Sequence, residues 1–223
     1  MSNILVIAAH PDDELLGCGG TIALHTQKGD NVTVVIACEG ESLRYGTQGV
    51  GQTNNIYAAA EVLGVKDVRL LGFPDQRLDT FTLTEIISPI EKIVEEVTPE
   101  IVYCQYGGDI NRDHQILFEA TSVAVRPVEK FISGIYTFYT VSSTEWGYPR
   151  SFTPDTWVDI SDTLEKKLEA FSCYESEVRE FPHPRSIKTL EYNAYSFGSQ
   201  CCVEAAETFM TIRRICRNGQ TII

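Results

Sequence analysis

The sequence predicts an α/β protein with a Rossmann-like, three-layer fold around a mostly parallel central sheet. Apolar segments at 4–8, 31–38 and 101–104 have the near-continuous aliphatic composition of strands that are buried on both faces of a sheet. Helical patterns separate these segments, and such alternation is typical of an open α/β sheet with its ligand crevice at the carboxyl ends of the strands. We expect a single domain spanning 1–223, since a chain of 223 residues with 43% hydrophobic content can bury one core of ordinary size.

Each element is predicted from local sequence signals. The first helix ends at Gly29 and the second at Gly64, because glycine is the preferred residue just past a helix end. The predicted strands span 4–8, 31–38, 68–71, 101–104 and 157–160. The predicted helices span 15–28, 53–63, 82–96, 115–124, 161–176 and 187–197, and Pro89 is expected to interrupt the third of them.

The charge balance excludes some classes of partner. The chain has 18 Lys and Arg against 31 Asp and Glu, and its net charge of -13 repels nucleic acid and anionic membrane surfaces. The amino terminus lacks a basic segment followed by a long apolar region, and no apolar run approaches the ~20 residues of a membrane-spanning helix. Seven cysteines, odd in number and without a C-x-x-C pair, indicate a reducing compartment. We therefore expect a cytoplasmic protein that neither binds nucleic acid nor spans a membrane.

An acidic turn follows the first predicted strand. In Ala-Ala-His-Pro-Asp-Asp-Glu, residues 8–14, one imidazole and three carboxylates occupy five consecutive positions. Like charges held this close resist burial unless a cation lies among them, so the turn predicts a metal site. Taken singly, Asp12 or Asp13 could be a helix N-cap, and Glu14 a favourable charge in the first helical turn. His10, Asp12 and Asp13 together favour the functional interpretation.

A second polar loop follows the strand at 101–104. It reads Gly-Gly-Asp-Ile-Asn-Arg-Asp-His at 107–114 and is expected to emerge at the same edge of the sheet as the acidic turn. His114 is the candidate ligand in this loop, although a lone histidine there could also cap or pack. Zinc in hydrolases typically has three nitrogen or oxygen ligands from the protein and one open position. His10, Asp13 and His114 would form that set.

The two motifs together resemble those of the PIG-L/LmbE-like family of zinc-dependent N-acetyl-sugar deacetylases. The resemblance extends to Gly-Cys-Gly-Gly-Thr at 17–21, Phe-Pro-Asp-Gln-Arg-Leu-Asp at 73–79 and Ala-Ala-Glu-Thr-Phe at 205–209. It implies a Rossmann-like fold in which His10, Asp13 and His114 bind Zn2+, with Fe2+ as the alternative metal. It also implies that Asp12 is the general base in hydrolysis of an N-acetyl group, which releases acetate and a free amino sugar.

The chain departs from the family pattern at the first position of the second motif. Many members have a histidine where this chain has Asn111, which donates a neutral hydrogen bond but supplies neither a proton nor a charge. Asn111 is therefore assigned a weaker catalytic role. We hypothesise that His183, in Phe-Pro-His-Pro-Arg-Ser at 181–186, reaches the crevice and takes the role of the missing histidine.

A second departure concerns the substrate. Many members carry an Arg and a Glu three apart near the start of the second predicted helix, where this chain has Gln52 and Asn55. Because an arginine contact is missing there, Arg44, Tyr45 and Arg185 are the candidate substrate-binding residues. The expected substrate is an N-acetylglucosamine-type sugar, with a nucleotide-linked or lipid-linked polysaccharide precursor left open. Assembly into a homo-oligomer is also left open.

Two other classes of function stay open at this point. The glycines at 17, 19 and 20 favour a nucleotide-binding or methyl-transfer domain on the same sheet, although this interpretation leaves the acidic turn unexplained. Asn111 favours a catalytically silent binding member of the family. A magnesium phosphohydrolase is disfavoured, because two histidines suit zinc better than a cation that prefers oxygen ligands.

Overall fold

The computed structural model describes residues 1–40, 52–128 and 130–217. The strands are β1 (Asn3–Ala8), β2 (Asn31–Cys38), β3 (Asp67–Phe73), β4 (Ile101–Gln105), β5 (Gly134–Phe138), β6 (Thr156–Asp159) and β7 (Ala206–Arg214). The helices are α1 (Asp13–Gln27), α2 (Gln52–Leu63), α3 (Leu83–Val97), α4 (Arg112–Ala124), α5 (Leu164–Ser172) and α6 (Ile187–Ser199). Across these ranges, every helix is too short or too polar to cross a bilayer.

The strands form one sheet in the order β3-β2-β1-β4-β5-β7-β6. Strands β1 to β5 pair in parallel, whereas β7 pairs antiparallel with both β5 and β6. Helices α1, α2, α5 and α6 contribute to the core on one face of the sheet, and α3 and α4 to the core on the other. The prediction of an α/β fold with three layers and a mostly parallel sheet is confirmed.

The strand order reverses beside β1. From β1 the chain continues to β2 and β3 on one side, and it then crosses to β4 on the other side. In open α/β sheets, ligands bind outside the carboxyl ends of the strands at such a reversal. The register pairs Ile7 of β1 with Cys104 of β4. The turn after β1 and the loop after β4 therefore start side by side.

The continuous apolar run of β1 is explained by burial on both faces. Ile4, Val6 and Ala8 belong to the core that contains α1, while Leu5 and Ile7 belong to the core that contains α3 and α4. Side chains of a strand alternate between the two faces of its sheet, so a central strand needs apolar residues at every position. Strand β1 is thus a rigid base for the turn that follows it.

Helix α1 packs very close to the sheet. A Cβ atom at Gly17 would overlap the ring of Phe138, and one at Gly20 would lie 2.8 Å from Ile160 Cδ1. The helix also has a non-helical backbone at Cys18, with φ of -145°. These glycines lie inside a helix and permit a close approach between layers. The nucleotide-binding interpretation, which required a glycine loop, is therefore not favoured.

A buried ion pair anchors α1 beyond this irregularity. Glu207 on β7 accepts hydrogen bonds from Gly20 N at 2.9 Å and Thr21 N at 2.7 Å. Lys167 Nζ donates to Glu207 Oε1 at 2.6 Å and so balances its charge. A carboxylate is stabilised by the free N–H groups at the start of a helical segment. Strand β7 therefore fixes the helix that carries the acidic turn.

The sequence-based element boundaries differ from the structure in several places. Strands β5 and β7 were not predicted, and α1 begins at Asp13 rather than at residue 15. The prediction that Pro89 interrupts a helix is wrong, because α3 is continuous from Leu83 to Val97. A capping box at the start of α3 and burial of its apolar face outweigh the one backbone hydrogen bond that proline removes.

Candidate active site

The acidic turn joins β1 to α1 through a left-handed residue. Asp12 has a φ of 91°, and its carbonyl accepts hydrogen bonds from Leu15 N and Leu16 N, both at 2.9 Å. For a residue other than glycine this conformation costs about 1–3 kcal/mol, and such strain is concentrated at functional sites. The Asp12 side chain makes no capping bond to the helix, although it is buried. Asp12 therefore occupies the N-cap position, as one interpretation of the turn predicted, but its carboxylate contacts Arg185 from another loop instead of accepting backbone N–H bonds.

Three predicted ligands converge at this turn. The distances are 3.2 Å from His10 Nδ1 to Asp13 Oδ2, 3.1 Å from His114 Nε2 to Asp13 Oδ2, and 3.3 Å between His114 Nε2 and His10 Nδ1. Tetrahedral zinc with bonds of about 2.0–2.2 Å separates its ligand atoms by roughly 3.3–3.5 Å. The three atoms therefore outline one face of such a coordination sphere. We call them the metal triangle.

Two imidazole rings converge on one carboxylate oxygen in the metal triangle. Two ring nitrogens face the same carboxylate oxygen, and they also face each other at 3.3 Å. Only one proton fits between the two nitrogens, and two protonated rings this close repel each other. A cation at the centre of the triangle contacts all three atoms at once. The residues present therefore fit a divalent metal ion.

Carboxylates hold the outer side of both imidazole rings. His10 Nε2 lies 3.1 Å from Asp113 Oδ2, and His114 Nδ1 lies 3.3 Å from Asp109 Oδ1. Asp113 is held in turn by Leu78 N, which donates to its Oδ1 at 3.1 Å. A carboxylate on the outer nitrogen fixes the tautomer, so that the inner nitrogen keeps its lone pair for a metal.

Asp109 and Asp113 were missed from the sequence. Asp109 lies in the loop after β4 and Asp113 in the first turn of α4, both within five residues of His114. The signal that identifies them is general, because a metal-binding histidine usually donates its second N–H to a carboxylate, carbonyl or water. His10 Nε2 lies at hydrogen-bond distance from Asp113, whereas His114 Nδ1 lies 3.3 Å from Asp109 Oδ1 without hydrogen-bond geometry.

Burial and neighbouring charges shift the pKa values of the site in different directions. Burial raises the pKa of Asp12 to about 7, although the nearby Arg185 opposes the shift. Burial also acts to raise the pKa of Asp13, but the charges and hydrogen bonds of His114 and His10 together outweigh it and the pKa is lowered. For His114, burial acts to lower the pKa, yet Asp13 and Asp109 raise it to about 9. Two adjacent carboxylates thus differ: Asp13 is held ionised, whereas Asp12 titrates near neutrality.

A cleft of about 300 Å³ opens beside the metal triangle. Its lining includes His10, Asp12 and His114, and its walls come from α2 and from the loops after β3, β4, β5 and α5. The polar wall side chains are Gln52, Asp75, Gln76, Asn111, Ser142, Ser143, Glu177 and Arg185. The volume is at the lower end of the range for small-molecule sites.

Asn111 lies in the cleft wall and begins helix α4. Its Oδ1 accepts a hydrogen bond from Asp113 N at 2.9 Å, as an N-cap residue does. Its side-chain NH2 group has no hydrogen-bond partner in the part of the chain that the structure describes. Asn111 therefore combines a structural contact with a donor that a substrate can use.

The predicted residues from two other segments differ in their placement. Arg185 lines the cleft, whereas His183 is exposed and does not belong to the described lining. The His183 Nδ1 accepts a hydrogen bond from Arg185 N at 3.0 Å. A catalytic role for His183 stays a prediction. Arg44 and Tyr45 lie in the segment 41–51, outside the described residues.

Arg185 connects three parts of the cleft. Its Nη1 lies 3.3 Å from Asp12 Oδ2 and 2.7 Å from Glu177 Oε2, and its Nε donates to Ser142 Oγ at 2.7 Å. Glu177 was missed from the sequence, because a glutamate in a polar segment with no motif around it carries no signal. The contact fixes the guanidinium group and, through it, the Asp12 carboxylate.

A comparison with known families decides between the possible assignments. The family described as GlcNAc-PI de-N-acetylase, PIG-L, matches residues 5–125, more than half of this chain and a range that contains every atom of the metal triangle. The chain belongs to this family. The resemblance inferred from the two motifs is confirmed.

Individual relatives agree with this assignment. The probable N-acetyl-alpha-D-glucosaminyl L-malate deacetylase 2 of Bacillus anthracis is 30% identical over 185 residues, with 78% of this chain and 81% of that protein covered. The N,N'-diacetylchitobiose deacetylase of Pyrococcus horikoshii has a TM-score of 0.77 at 23% identity, with 94% of this chain and 83% of that chain covered. The Bacillus anthracis relative supports an N-deacetylase hydrolase, and the Pyrococcus horikoshii structure shows that the fold is shared.

The fold by itself does not decide the reaction. GalB, the 4-carboxy-2-hydroxymuconate hydratase of Pseudomonas putida, also has a TM-score of 0.77, at 22% identity and with 100% of both chains covered. An enzyme named for a different reaction therefore shares this architecture. The reaction is therefore inferred from the site residues and from relatives with higher sequence identity.

Proposed function

We propose that this protein is a metal-dependent hydrolase that removes the N-acetyl group from an N-acetylglucosamine-type sugar and releases acetate. The observation that carries the proposal is the metal triangle, whose sides measure 3.2, 3.1 and 3.3 Å beside a polar cleft. Membership of a de-N-acetylase family supports the same reaction.

The metal triangle would hold the metal ion through His10, Asp13 and His114. Two imidazole nitrogens and one carboxylate oxygen suit Zn2+ well, with Fe2+ as the alternative, and suit the oxygen-preferring Mg2+ poorly. When bound, such an ion supplies Lewis acidity, which polarises a carbonyl group and makes water acidic enough to attack it near neutral pH. The outer carboxylates, Asp109 and Asp113, keep both rings in the orientation that binding requires.

Asp12 is the residue that moves protons in this proposal. Its pKa of about 7 suits a group that must both accept and release a proton at neutral pH. Asp12 takes a proton from the attacking water and returns it to the nitrogen of the leaving amino sugar. Arg185 Nη1, 3.3 Å from Asp12 Oδ2, holds the carboxylate in place and favours its ionised form.

Asn111 supplies a neutral hydrogen bond to the substrate. Because its Oδ1 accepts from Asp113 N, its NH2 group is the part left to donate to the oxygen on which negative charge develops. His183 takes part only if its loop moves, since its ring is exposed and its Nδ1 accepts from Arg185 N.

Acetate release from defined sugars tests the proposal. Purified protein is expected to release acetate from N-acetylglucosamine or N,N'-diacetylchitobiose with Zn2+ or Fe2+ present, and a chelator is expected to stop the release. Asp12→Asn is expected to lower kcat by about 10²–10⁴-fold with an unchanged metal content, because an amide cannot accept the proton.

The matched control for this variant is His25→Gln, which lies outside the cleft. It is expected to retain both the metal and the activity. The proposal fails if no N-acetylated sugar releases acetate with either metal, or if Asp12→Asn is as active as the unmodified protein.

A further inference from the structure

We propose that the cleft selects uncharged N-acetylated sugars and glycosides and discriminates against substrates that carry phosphate or carboxylate groups. This inference rests on the proposed function and deepens it by naming the class of substrate. It concerns the walls of the cleft, where the part of the substrate beyond the acetamide group would lie.

Among the Asp, Glu, Lys and Arg side chains that line the described part of the cleft, three of four are carboxylates. Asp12, Asp75 and Glu177 line the cleft and are only 2%, 4% and 3% exposed. Charges with so little solvent around them are poorly screened, so their potential extends into the cleft. A phosphate or carboxylate group that enters the cleft is repelled, whereas a hydroxyl group is not.

Arg185 does not offset this repulsion. It is the one Lys or Arg side chain among the lining residues that the structure describes. Its Nη1 contacts carboxylates on two sides, Glu177 at 2.7 Å and Asp12 at 3.3 Å, and its Nε donates to Ser142. A guanidinium group balanced by two carboxylates presents no net positive charge to an anion. Arg185 therefore shapes the wall rather than binding an anionic group.

The remaining polar wall is neutral. Gln52, Gln76, Asn111, Ser142 and Ser143 contribute amide and hydroxyl groups, which both donate and accept hydrogen bonds. This chemistry matches the hydroxyl groups of a sugar ring, which also donate and accept.

The orientation of Gln52 is itself fixed by the protein. Asn55 Nδ2 donates to Gln52 Oε1 at 3.4 Å, and Gln52 Nε2 lies 3.5 Å from Ser176 Oγ. The wall is thus arranged for polar recognition without charge.

A divalent ion in the metal triangle would not reverse the net negative charge of the described cleft lining. Asp13 belongs to the metal triangle, and Asp109 and Asp113 contact its two histidines. These carboxylates would offset the positive charge of the ion close to its site, so that little of this charge would act on a group at the cleft walls. The net charge of -13 on the whole chain adds a repulsive field for anions approaching from solvent.

The relatives differ in whether the substrate in their names carries a negative charge. The Bacillus anthracis protein is named for a sugar linked to malate, an acid, whereas the Pyrococcus horikoshii enzyme is named for a disaccharide without charge. The walls of this cleft favour the second chemistry. The leaving amine would accordingly belong to a free sugar or to a neutral glycoside.

The test compares kcat/KM for acetate release from matched neutral and anionic substrates. N,N'-diacetylchitobiose is the neutral substrate, and N-acetylglucosamine 1-phosphate, UDP-N-acetylglucosamine and N-acetylglucosaminyl malate are the anionic ones. At low salt, the neutral substrate is expected to be preferred by about ten-fold or more. Added NaCl is expected to narrow the part of the gap that comes from the net charge of the chain, because salt screens repulsion of anions approaching through solvent and does not act on a neutral sugar.

Variants locate the repulsion in the wall. Glu177→Gln removes one wall carboxylate and leaves Arg185 with a single acidic partner, so the ratio of anionic to neutral kcat/KM is expected to rise about ten-fold. Both kcat/KM values are measured on the same preparation, so a loss of active protein does not change their ratio. Asp75→Asn is a second variant, at a lining carboxylate that lies 3.5 Å from His10 Nε2. Glu91→Gln is the matched control with an unchanged ratio, because Glu91 lies on α3 in an exposed pair with Arg126.

Two results overturn the inference while the proposed function stands. One is an anionic sugar used as well as the neutral one at low salt. The other is a ratio that salt, Glu177→Gln and Asp75→Asn all leave unchanged. Failure to deacetylate either class of substrate contradicts the proposed function itself, and the inference with it.

Discussion

Two histidine–aspartate clusters lie near the two ends of helix α1, and they differ in how their polar atoms match. At the end of the helix, His25 Nδ1 lies 2.8 Å from Asp30 Oδ2, and His25 Nε2 lies 3.1 Å from the Tyr103 hydroxyl. Asp30 Oδ1 accepts from Ser2 N at 2.8 Å. Each polar atom of this cluster has one partner of complementary type.

At the start of the helix the atoms do not match in this way. In the metal triangle two ring nitrogens share one carboxylate oxygen, and further carboxylates occupy the outer side of both rings. The two inner nitrogens also face each other at 3.3 Å, so that protons on both would crowd. A histidine beside an aspartate is therefore no sign of a metal site by itself. The sign is two ring nitrogens that converge on one carboxylate oxygen and on each other.

The largest expected difference between the clusters concerns the loss of one histidine from each. His114→Ala is expected to lower metal content and to reduce activity by about a thousand-fold or more, since it removes one of three ligands. His25→Gln, the matched control, is expected to leave both unchanged. Metal analysis of the purified proteins and acetate-release kinetics measure the difference. Equal effects of the two variants would show that the clusters do not differ in function.

A smaller effect is expected from the carboxylates that orient the ligands. Asp113→Asn keeps the size of the side chain but removes the charge that holds His10 Nε2 at 3.1 Å. Loss of such a partner lowers metal affinity or activity by about 10–100-fold. Metal affinity measured by competition with a chelator checks this directly. If affinity does not fall, Asp113 acts only through its bond to Leu78 N.

The smallest effect is expected at the far cluster and concerns stability. Burial acts to raise the pKa of Asp30, but the hydrogen bonds with His25 and Ser2 and nearby positive charge together outweigh it and the pKa is lowered. A carboxylate with a lowered pKa stabilises the fold above its unfolded value of about 3.9, and this contribution is lost as the pH falls through the folded value. Asp30→Asn is expected to lower the free energy of unfolding by about 1 kcal/mol at neutral pH.

Urea unfolding at neutral and acid pH measures this prediction. The difference between Asp30→Asn and the unmodified protein is expected to shrink as the pH falls below about 4, and to disappear once the native carboxyl, whose pKa is lower than in the unfolded chain, is also protonated. Activity at neutral pH is expected to persist. If Asp30→Asn keeps its stability but loses its metal, the cluster at the end of α1 affects the metal triangle at its start through the helix.

The sequence was informative where one local segment carries both the fold and the chemistry. The run before His10 is apolar at every position and leads directly into the acidic turn, so a strand, a turn and two ligands could be predicted together. The convergence with His114 followed from a general rule on parallel strands, and the structure brings the three side chains together. That they bind a metal stays a prediction.

The sequence was uninformative where neighbours come from distant and irregular segments. Glu177 and Ser142 reach Arg185 from separate loops, and no periodic pattern encodes that meeting. Strand β7 pairs antiparallel between β5 and β6, an arrangement set by long-range packing rather than by its own composition. The clamp that Glu207 of β7 forms on α1 was missed for the same reason.

The close approach of Gly17 to Phe138 implies a way in which catalysis can be lost without any change in a reactive group. Gly17 and Asp13 lie one turn apart on the same helix, whereas His114 belongs to helix α4. A side chain at position 17 would push the helix outward and carry Asp13 with it. A descendant of this chain could thus become a pseudoenzyme by gaining a methyl group, and an inspection of its metal ligands would find every one in place.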